Sequence, residues 1–109
     1  MARYLYQVAY TPEAWEAQVK KPEDRIDEVL RPVVRKLGGK IESAYFAFGD
    51  YDLVLIANMP DNVGAAALSI AASAGGGLKS IKTTPLMSIR EGMRAMRQAK
   101  RSGFTPPGA

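Results

Sequence analysis

The side chains with the clearest chemical potential lie together in the stretch Gly49-Asp50-Tyr51-Asp52. Two carboxyl groups held close together raise the pKa of one of them, and a phenol beside them can donate a hydrogen bond to a carbonyl or an oxyanion. Tyr51 and Asp52 are therefore the candidate catalytic acid and base, and Asp50 is a candidate ligand-binding group. The alternative is turn chemistry, in which Gly49 and Asp50 form a turn, Tyr51 packs, and Asp52 bonds neighbouring backbone or Arg25.

The chain contains no cysteine and no histidine among its 109 residues. Disulfides, thiolate nucleophiles and cysteine-ligated metals are therefore excluded, and so is the side chain that most readily titrates near neutral pH. A site for Mg²⁺ or Ca²⁺ built from carboxylates alone stays open, but no motif for one is present. We predict no metal and no cofactor.

Aromatic residues supply a second candidate site. Small-molecule pockets favour aromatic walls with a few polar groups, and two packed sheets could enclose such a cavity. The aromatic residues that could line it are Tyr4, Tyr6, Tyr10, Tyr45, Phe46 and Phe48. We take Tyr6, Tyr45 and Phe48 as candidate ligand-binding residues, together with Asp50 and Arg25. The alternative is that these aromatic side chains form ordinary core and interface.

The excess positive charge lies near the C-terminal end. Residues 1–86 carry ten basic and ten acidic side chains, so the formal net charge of +4 comes from five basic residues and one acidic residue that follow. Candidate anion-binding residues form a stripe with spacings of four, three and four, namely Arg90, Arg94, Arg97 and Arg101. A nucleic acid, an anionic membrane surface or an acidic protein would suit this stripe. The alternative is a helix docked on a neighbouring subunit through Ile89, Met93 and Met96. Nucleic acid is not the expected partner, because no aromatic residues are interleaved to stack bases.

The first half of the chain is predicted to form one strand and two helices. Residues 3–10 alternate as in a strand with one aromatic face, made by Tyr4, Tyr6, Val8 and Tyr10. Thr11 and Pro12 start a helix over residues 12–19. A second helix follows Pro22, with one apolar stripe at helical spacing, made by Ile26, Val29, Leu30, Val33, Val34 and Leu37. Pro32 should bend this helix or shift its register.

The second half is predicted to contain a hairpin, a helix, a strand and a last helix. Residues 40–48 and 52–59 read as strands joined by a tight turn at Gly49-Asp50, and the second of them should be central because it is apolar on both faces. An alanine-rich helix then covers residues 63–74, with an inward stripe made by Val63, Ala67, Ile70, Ala71 and Ala74. Residues 78–86 form a fourth strand, and residues 87–101 form the final helix.

This order predicts an α+β fold of the ferredoxin-like type, β-α-β-β-α-β, with a four-stranded antiparallel sheet and an extra C-terminal helix. We place one domain at residues 1–86 and a basic helix and tail at residues 87–109. The helices cover one face of the sheet, yet the strands carry apolar side chains on both faces. A partner sheet from a second copy, as in a dimeric α/β barrel, would cover the other face.

The run from Gly49 to Val54, with Met59-Pro60-Asp61 closing the strand, resembles the GYD-domain family. These are small bacterial proteins related to the dimeric α/β barrel superfamily. The resemblance covers residues 3–85 and leaves out the basic C-terminal helix. It implies the ferredoxin-like fold and an oligomer, and it implies no established reaction.

The sequence thus favours a small oligomeric module that binds a small ligand or a partner protein. One alternative is a cofactor-independent enzyme that acts on a small aromatic or carbonyl compound in the barrel. The other is anion or nucleic-acid binding through the C-terminal helix. We expect no signal peptide and no membrane span, because the first residues lack a long apolar core and residues 63–78 are too short and too small to cross a bilayer. A cytoplasmic location is therefore expected.

Overall fold

The computed structural model describes residues 1–108, and it confirms the predicted order of elements. The strands are β1 Ala2–Tyr10, β2 Lys40–Phe46, β3 Leu53–Met59 and β4 Leu78–Leu86. The α-helices are α1 Pro12–Lys20, α2 Arg31–Lys36, α3 Asn62–Ala74 and α4 Ile89–Lys100. A π-helical turn at Ile26–Leu30 runs directly into α2. The fold is therefore α+β and consistent with the ferredoxin-like pattern, with one further helix after β4.

The strands form one antiparallel sheet in the order β2-β3-β1-β4. Strand β3 is central, as its apolar run predicts. In the register of the sheet, Tyr6 on β1 lies opposite Leu55 on β3 and Thr83 on β4. Leu5 lies opposite Ile56 and Thr84 on the other face. Because successive side chains of a strand point to opposite faces, the group around Tyr6 and the group around Leu5 lie on opposite sides of the sheet.

The core lies between the helices and one face of the sheet. Strand β3 alternates buried and half-buried residues along its whole length, and its buried residues face the helices. The predicted aromatic face of β1 is confirmed, because Tyr4, Tyr6 and Val8 are buried on this side. Val34 from α2 and Leu68 from α3 complete the core on the side of the helices.

Local sequence signals explain the helix boundaries. The Thr11 hydroxyl accepts a hydrogen bond from the amide of Ala14 at the start of α1, which confirms the predicted cap. The predicted register shift near Pro32 is also present. The Arg31 amide donates to the Ile26 carbonyl five residues back, just before the proline that lacks its own N–H donor.

The predicted inward stripe of α3 is wrong. Val63 and Ile70 are 78% and 68% exposed, and Ala71 and Ala74 are exposed as well, whereas Ala67 is half-buried. The buried residues of α3 are Ala65 and Leu68.

The reason lies in the sheet below α3. The Tyr6 hydroxyl donates to the Ala65 carbonyl at 2.9 Å, and the Tyr4 hydroxyl donates to Asn62 Oδ1 at 2.5 Å. Because these large rings already fill the space above β1, the helix turns a small side chain toward them. Its β-branched residues are left outside.

The connection between β2 and β3 is longer than the predicted two-residue turn. The strands end at Phe46 and begin again at Leu53, and the loop between them is closed by a hydrogen bond from the Ala47 amide to the Asp52 carbonyl at 2.8 Å. Gly49 in this loop has φ +119°, a conformation that favours glycine.

Helix α4 stands apart from the rest of the domain. Every residue of α4 is exposed except Gly92, which is half-buried. The radius of gyration is 17.4 Å, against roughly 13 Å for a compact domain of about this length. Within residues 1–108, no helix is both long enough and apolar enough to cross a membrane.

Candidate functional site

A cleft of about 610 Å³ lies between the helices and the sheet, where β1 ends and β3 and β4 begin. Its walls are mainly apolar and include Val8, Leu53 and Leu78 from the sheet, Leu30 and Val33 from the second helical segment, and Leu68 from α3. A concave apolar space of this size, with a few polar groups at its edge, is typical of a small-molecule site.

The cleft exists because the helices that cover it carry small side chains there. Ala14 and Ala17 of α1 and Ala71 and Ala72 of α3 line its sides. Such side chains are too short to meet across the gap. Pro22 then keeps residues 21–24 out of any helix, so that an irregular segment forms one edge of the opening.

Polar groups gather at this edge. Arg25 and Gln18 line the cleft, and Lys21 pairs with Glu23 at 3.3 Å beside them. Arg25 is exposed and makes no ion pair with any residue in the range 1–108. Its guanidinium therefore lies at the edge of an apolar space without a carboxylate partner.

The hydroxyl of Tyr10 belongs to the same edge. Burial raises the pKa of this phenol above its ordinary value. The positive charge of Arg25 acts in the opposite direction, and the carboxylate of Asp52 adds to the rise. Tyr10 therefore stays protonated at neutral pH and can act as a hydrogen-bond donor.

A second cavity of about 640 Å³ adjoins the first and shares Tyr10, Gln18, Glu23, Arg25 and Leu53 with it. It lies between the irregular segment and strand β2. Its remaining wall is more polar and includes Asp24, Asp27, Arg31 and Tyr45. Asp27 and Arg31 pair at 2.6 Å, and this hydrogen bond lowers the pKa of Asp27.

Asp52 acts as a brace in the structure. Its carboxylate accepts hydrogen bonds from the Tyr10 amide at 2.9 Å and the Trp15 indole at 3.3 Å, while its own amide donates to the Val8 carbonyl at 2.7 Å. The Trp15 ring packs edge-on against Tyr10, with 5.2 Å between ring centroids. Asp52 thus ties the end of β1 to α1, which agrees with a role in backbone bonding.

Neither Tyr51 nor Asp52 lines either cavity. Both are half-buried in the loop before β3. Their assignment as catalytic acid and base stays a prediction.

The other predicted ligand-binding residues are dispersed. Tyr6 is 1% exposed and lies in the core, Phe48 is 103% exposed at the loop, and Asp50 is exposed beside it. Tyr45 lines the second cavity, and Arg25 lines both. The structure thus brings Arg25 and Tyr45 to a cavity and leaves the other three away from both.

Sequence reasoning missed several residues of the cleft. Gln18 and the alanines of α1 were not predicted for a site, and Tyr10 was predicted only as an aromatic wall of a cavity between two sheets. One signal could have indicated the cleft. Alanine occupies half-buried or cleft-lining positions on two helices that must cover the same face of a sheet, which leaves space between them.

The predicted anion-binding arginines of α4 are exposed. Within residues 1–108, none of Arg90, Arg94, Arg97 and Arg101 forms an ion pair. Glu91 is used locally, because the Ser88 amide donates to its carboxylate and lowers its pKa, while the Ser88 hydroxyl accepts from the Glu91 amide. Among the described residues, no group of three or more carboxylates is placed to hold a metal ion.

Comparison with known proteins gives one result. The searches of curated proteins and of solved structures returned no match. The family model described as "GYD domain" matches residues 4–96, which is most of the chain. The match continues past residue 85 to the middle of α4, so the expectation that the resemblance leaves out this helix is wrong. By this match, the chain belongs to the GYD domain family.

Proposed function

We propose that this protein is a binding module for a small, largely apolar compound that carries one acidic group. The supporting observation is the cleft of about 610 Å³ between helices and sheet, with the unpaired guanidinium of Arg25 at its edge. The apolar walls would hold the body of the ligand. Arg25 would meet its acidic end, and the hydroxyl of Tyr10, which also lines the cleft, would add a hydrogen bond.

The choice of an acidic group follows from the charges at the edge. Among the charged residues that line the cleft, Lys21 pairs with Glu23, so Arg25 supplies the remaining charge. A hydrogen bond between guanidinium and carboxylate is about twice as strong as one between neutral groups. An uncharged ligand would gain less from this arrangement.

Calorimetric titration with naphthoate and with uncharged naphthalenemethanol tests the proposal. We expect naphthoate to bind more tightly than naphthalenemethanol. Arg25→Gln should weaken naphthoate binding about tenfold and leave naphthalenemethanol binding unchanged, because only the charged probe loses a charge-assisted hydrogen bond. Ala72→Trp should abolish binding of both probes, since the indole would fill the cleft.

Ala66→Trp is the matched control. Ala66 lies on the same helix but is exposed and does not line the cleft. This variant should bind naphthoate as the unmodified protein does. If the unmodified protein binds neither probe, or if Ala72→Trp binds as well as Ala66→Trp, the cleft is not the binding site.

We further propose that subunits associate through the open face of the sheet. This face carries Leu5, Val54, Ile56 and Leu86, which are half-buried. Within residues 1–108, the helices that contribute buried residues to the core, α2 and α3, lie on the other face. Burial of apolar surface stabilises association by roughly 25 cal/mol per Å² before the costs of association. A second sheet is the partner that fits a flat apolar face.

Sedimentation velocity checks this association. The unmodified protein should sediment as a dimer or larger species, and Ile56→Lys should sediment as a monomer, because it places a charge at the centre of the proposed interface. Ile70→Lys is the control, since it adds the same charge to an exposed apolar position on the outer side of α3. A monomeric unmodified protein, or dissociation by Ile70→Lys alone, would contradict the proposed interface.

A further inference from the structure

Helix α4 has two different faces that lie side by side. Ile89, Met93 and Met96 follow spacings of four and three residues and make one apolar stripe. The arginine stripe, Arg90, Arg94, Arg97 and Arg101, repeats the same spacing one residue later. Because one residue turns an α-helix by about 100°, the two stripes are adjacent along the whole helix.

Both stripes are free in the subunit. Ile89 and Met96 are 83% and 71% exposed, and Met87 and Phe104 extend the exposed apolar surface beyond both ends of the helix. The helix is nevertheless well formed, because Ser88 and Glu91 cap its start with reciprocal hydrogen bonds. An amphipathic helix is therefore exposed to the outside after β4.

The charge of this helix indicates an anionic partner. Residues 1–86 are balanced, and the formal net charge of +4 arises in and just after α4. An anionic bilayer surface uses both stripes, because the apolar side chains enter the interface while the arginines reach the head groups. A nucleic acid would use only the arginines and would leave three apolar side chains in water.

We propose that α4 binds in the plane of a bilayer surface that contains anionic lipid. Its low content of large apolar residues makes the attachment depend on the arginines, so binding is reversible and weakens as salt screens the charges. The length of 12 residues suits a helix that lies on the surface. An associated pair of subunits would present two such helices and bind more tightly than one.

Co-sedimentation with lipid vesicles tests this attachment in the full chain. We expect the protein to bind vesicles made of phosphatidylcholine and phosphatidylglycerol. It should not bind vesicles made only of phosphatidylcholine. The double variant Arg94→Gln, Arg97→Gln should partition onto the vesicles about thirtyfold less. Each arginine near an anionic surface contributes about fivefold to binding, and the variant loses two of them. The double variant Met93→Ser, Met96→Ser should also lose binding, since it removes most of the apolar stripe.

The double variant Arg35→Gln, Lys36→Gln is the control for charge. It removes two exposed bases from α2 and should bind vesicles nearly as well as the unmodified protein. Circular dichroism should show that all variants keep their helix content, because every changed side chain is exposed.

Any of four results would overturn the proposal. The first is equal binding to anionic and neutral vesicles. The second is full vesicle binding by both α4 variants. The third is tight binding of duplex DNA or RNA together with no vesicle binding, which would assign the arginines to nucleic acid. If Met93→Ser, Met96→Ser changes the oligomeric state and no vesicles bind, the apolar stripe is a subunit contact and the proposal also fails.

Discussion

Replacement of Tyr6 by alanine is expected to lower the free energy of unfolding by about 4 kcal/mol, which is the range for large aromatic residues in a core. The Tyr6 side chain is 1% exposed and lies between the sheet and α3. Its hydroxyl donates to the Ala65 carbonyl at 2.9 Å. The substitution removes the ring that sets the distance between β1 and α3, and the surrounding residues cannot close the cavity completely.

Urea unfolding of three variants separates the contributions. Tyr6→Phe keeps the ring and loses only the hydroxyl, so its cost should be about 1 kcal/mol. Tyr45→Ala is the control, because Tyr45 is exposed on β2 and its loss should change the free energy of unfolding by less than about 1 kcal/mol. A cost for Tyr6→Ala no larger than that for Tyr45→Ala would show that Tyr6 is not a core residue.

The same variants give a readout at high pH. Burial raises the pKa of Tyr6 to about 12 from an ordinary value of 10.0. The unfolded chain therefore loses this proton first, and the contribution is fully present below pH 10 and lost as pH rises toward 12. Tyr6→Phe should flatten this part of the stability curve. An unchanged slope would assign the effect to Tyr10, whose pKa burial also raises.

Much of the fold could be predicted because its signals are local. The cap at Thr11, the break at Pro22 and the alternation along β1 each depend on a few neighbouring residues. The face of α3 could not be predicted in this way. From Asn62 to Ala74 this helix carries no charged residue, so its apolar pattern does not distinguish one side from another. The choice is made by Tyr4 and Tyr6 on the sheet, far away along the chain.

The candidate site was predicted only in part, for a related reason. The prediction of a site at Asp50, Tyr51 and Asp52 depends on their being adjacent in sequence. In the structure, Asp52 bonds the end of β1, and the other two residues do not line the cleft. The cleft results from what is absent. Short side chains on α1 and α3 leave a space that only the packing of both helices on the sheet reveals. Arg25 was predicted, but its neighbours at the edge come from β1 and α1.

Gly39→Ala is expected to lower the free energy of unfolding by about 3 kcal/mol, at the upper end of the range for overpacked sites. A Cβ atom at Gly39 would lie 2.5 Å from the sulfur of Met59 and 2.6 Å from the backbone oxygen of Asn58. Met59 is fully buried, so its side chain has little room to move away. The Asn58 oxygen belongs to central strand β3 and can move only with that strand.

Gly75→Ala is the matched control for the same change. Gly75 has φ −69°, which any residue can adopt, and an added Cβ would meet its nearest neighbour, the Ala72 carbonyl oxygen, at 3.4 Å. Urea unfolding should therefore show a change within about 1 kcal/mol for Gly75→Ala, because alanine also restricts the unfolded chain. Equal midpoints for the two variants would mean that β2 can move away from β3 at Gly39. The close approach there would then not be a constraint on the sheet.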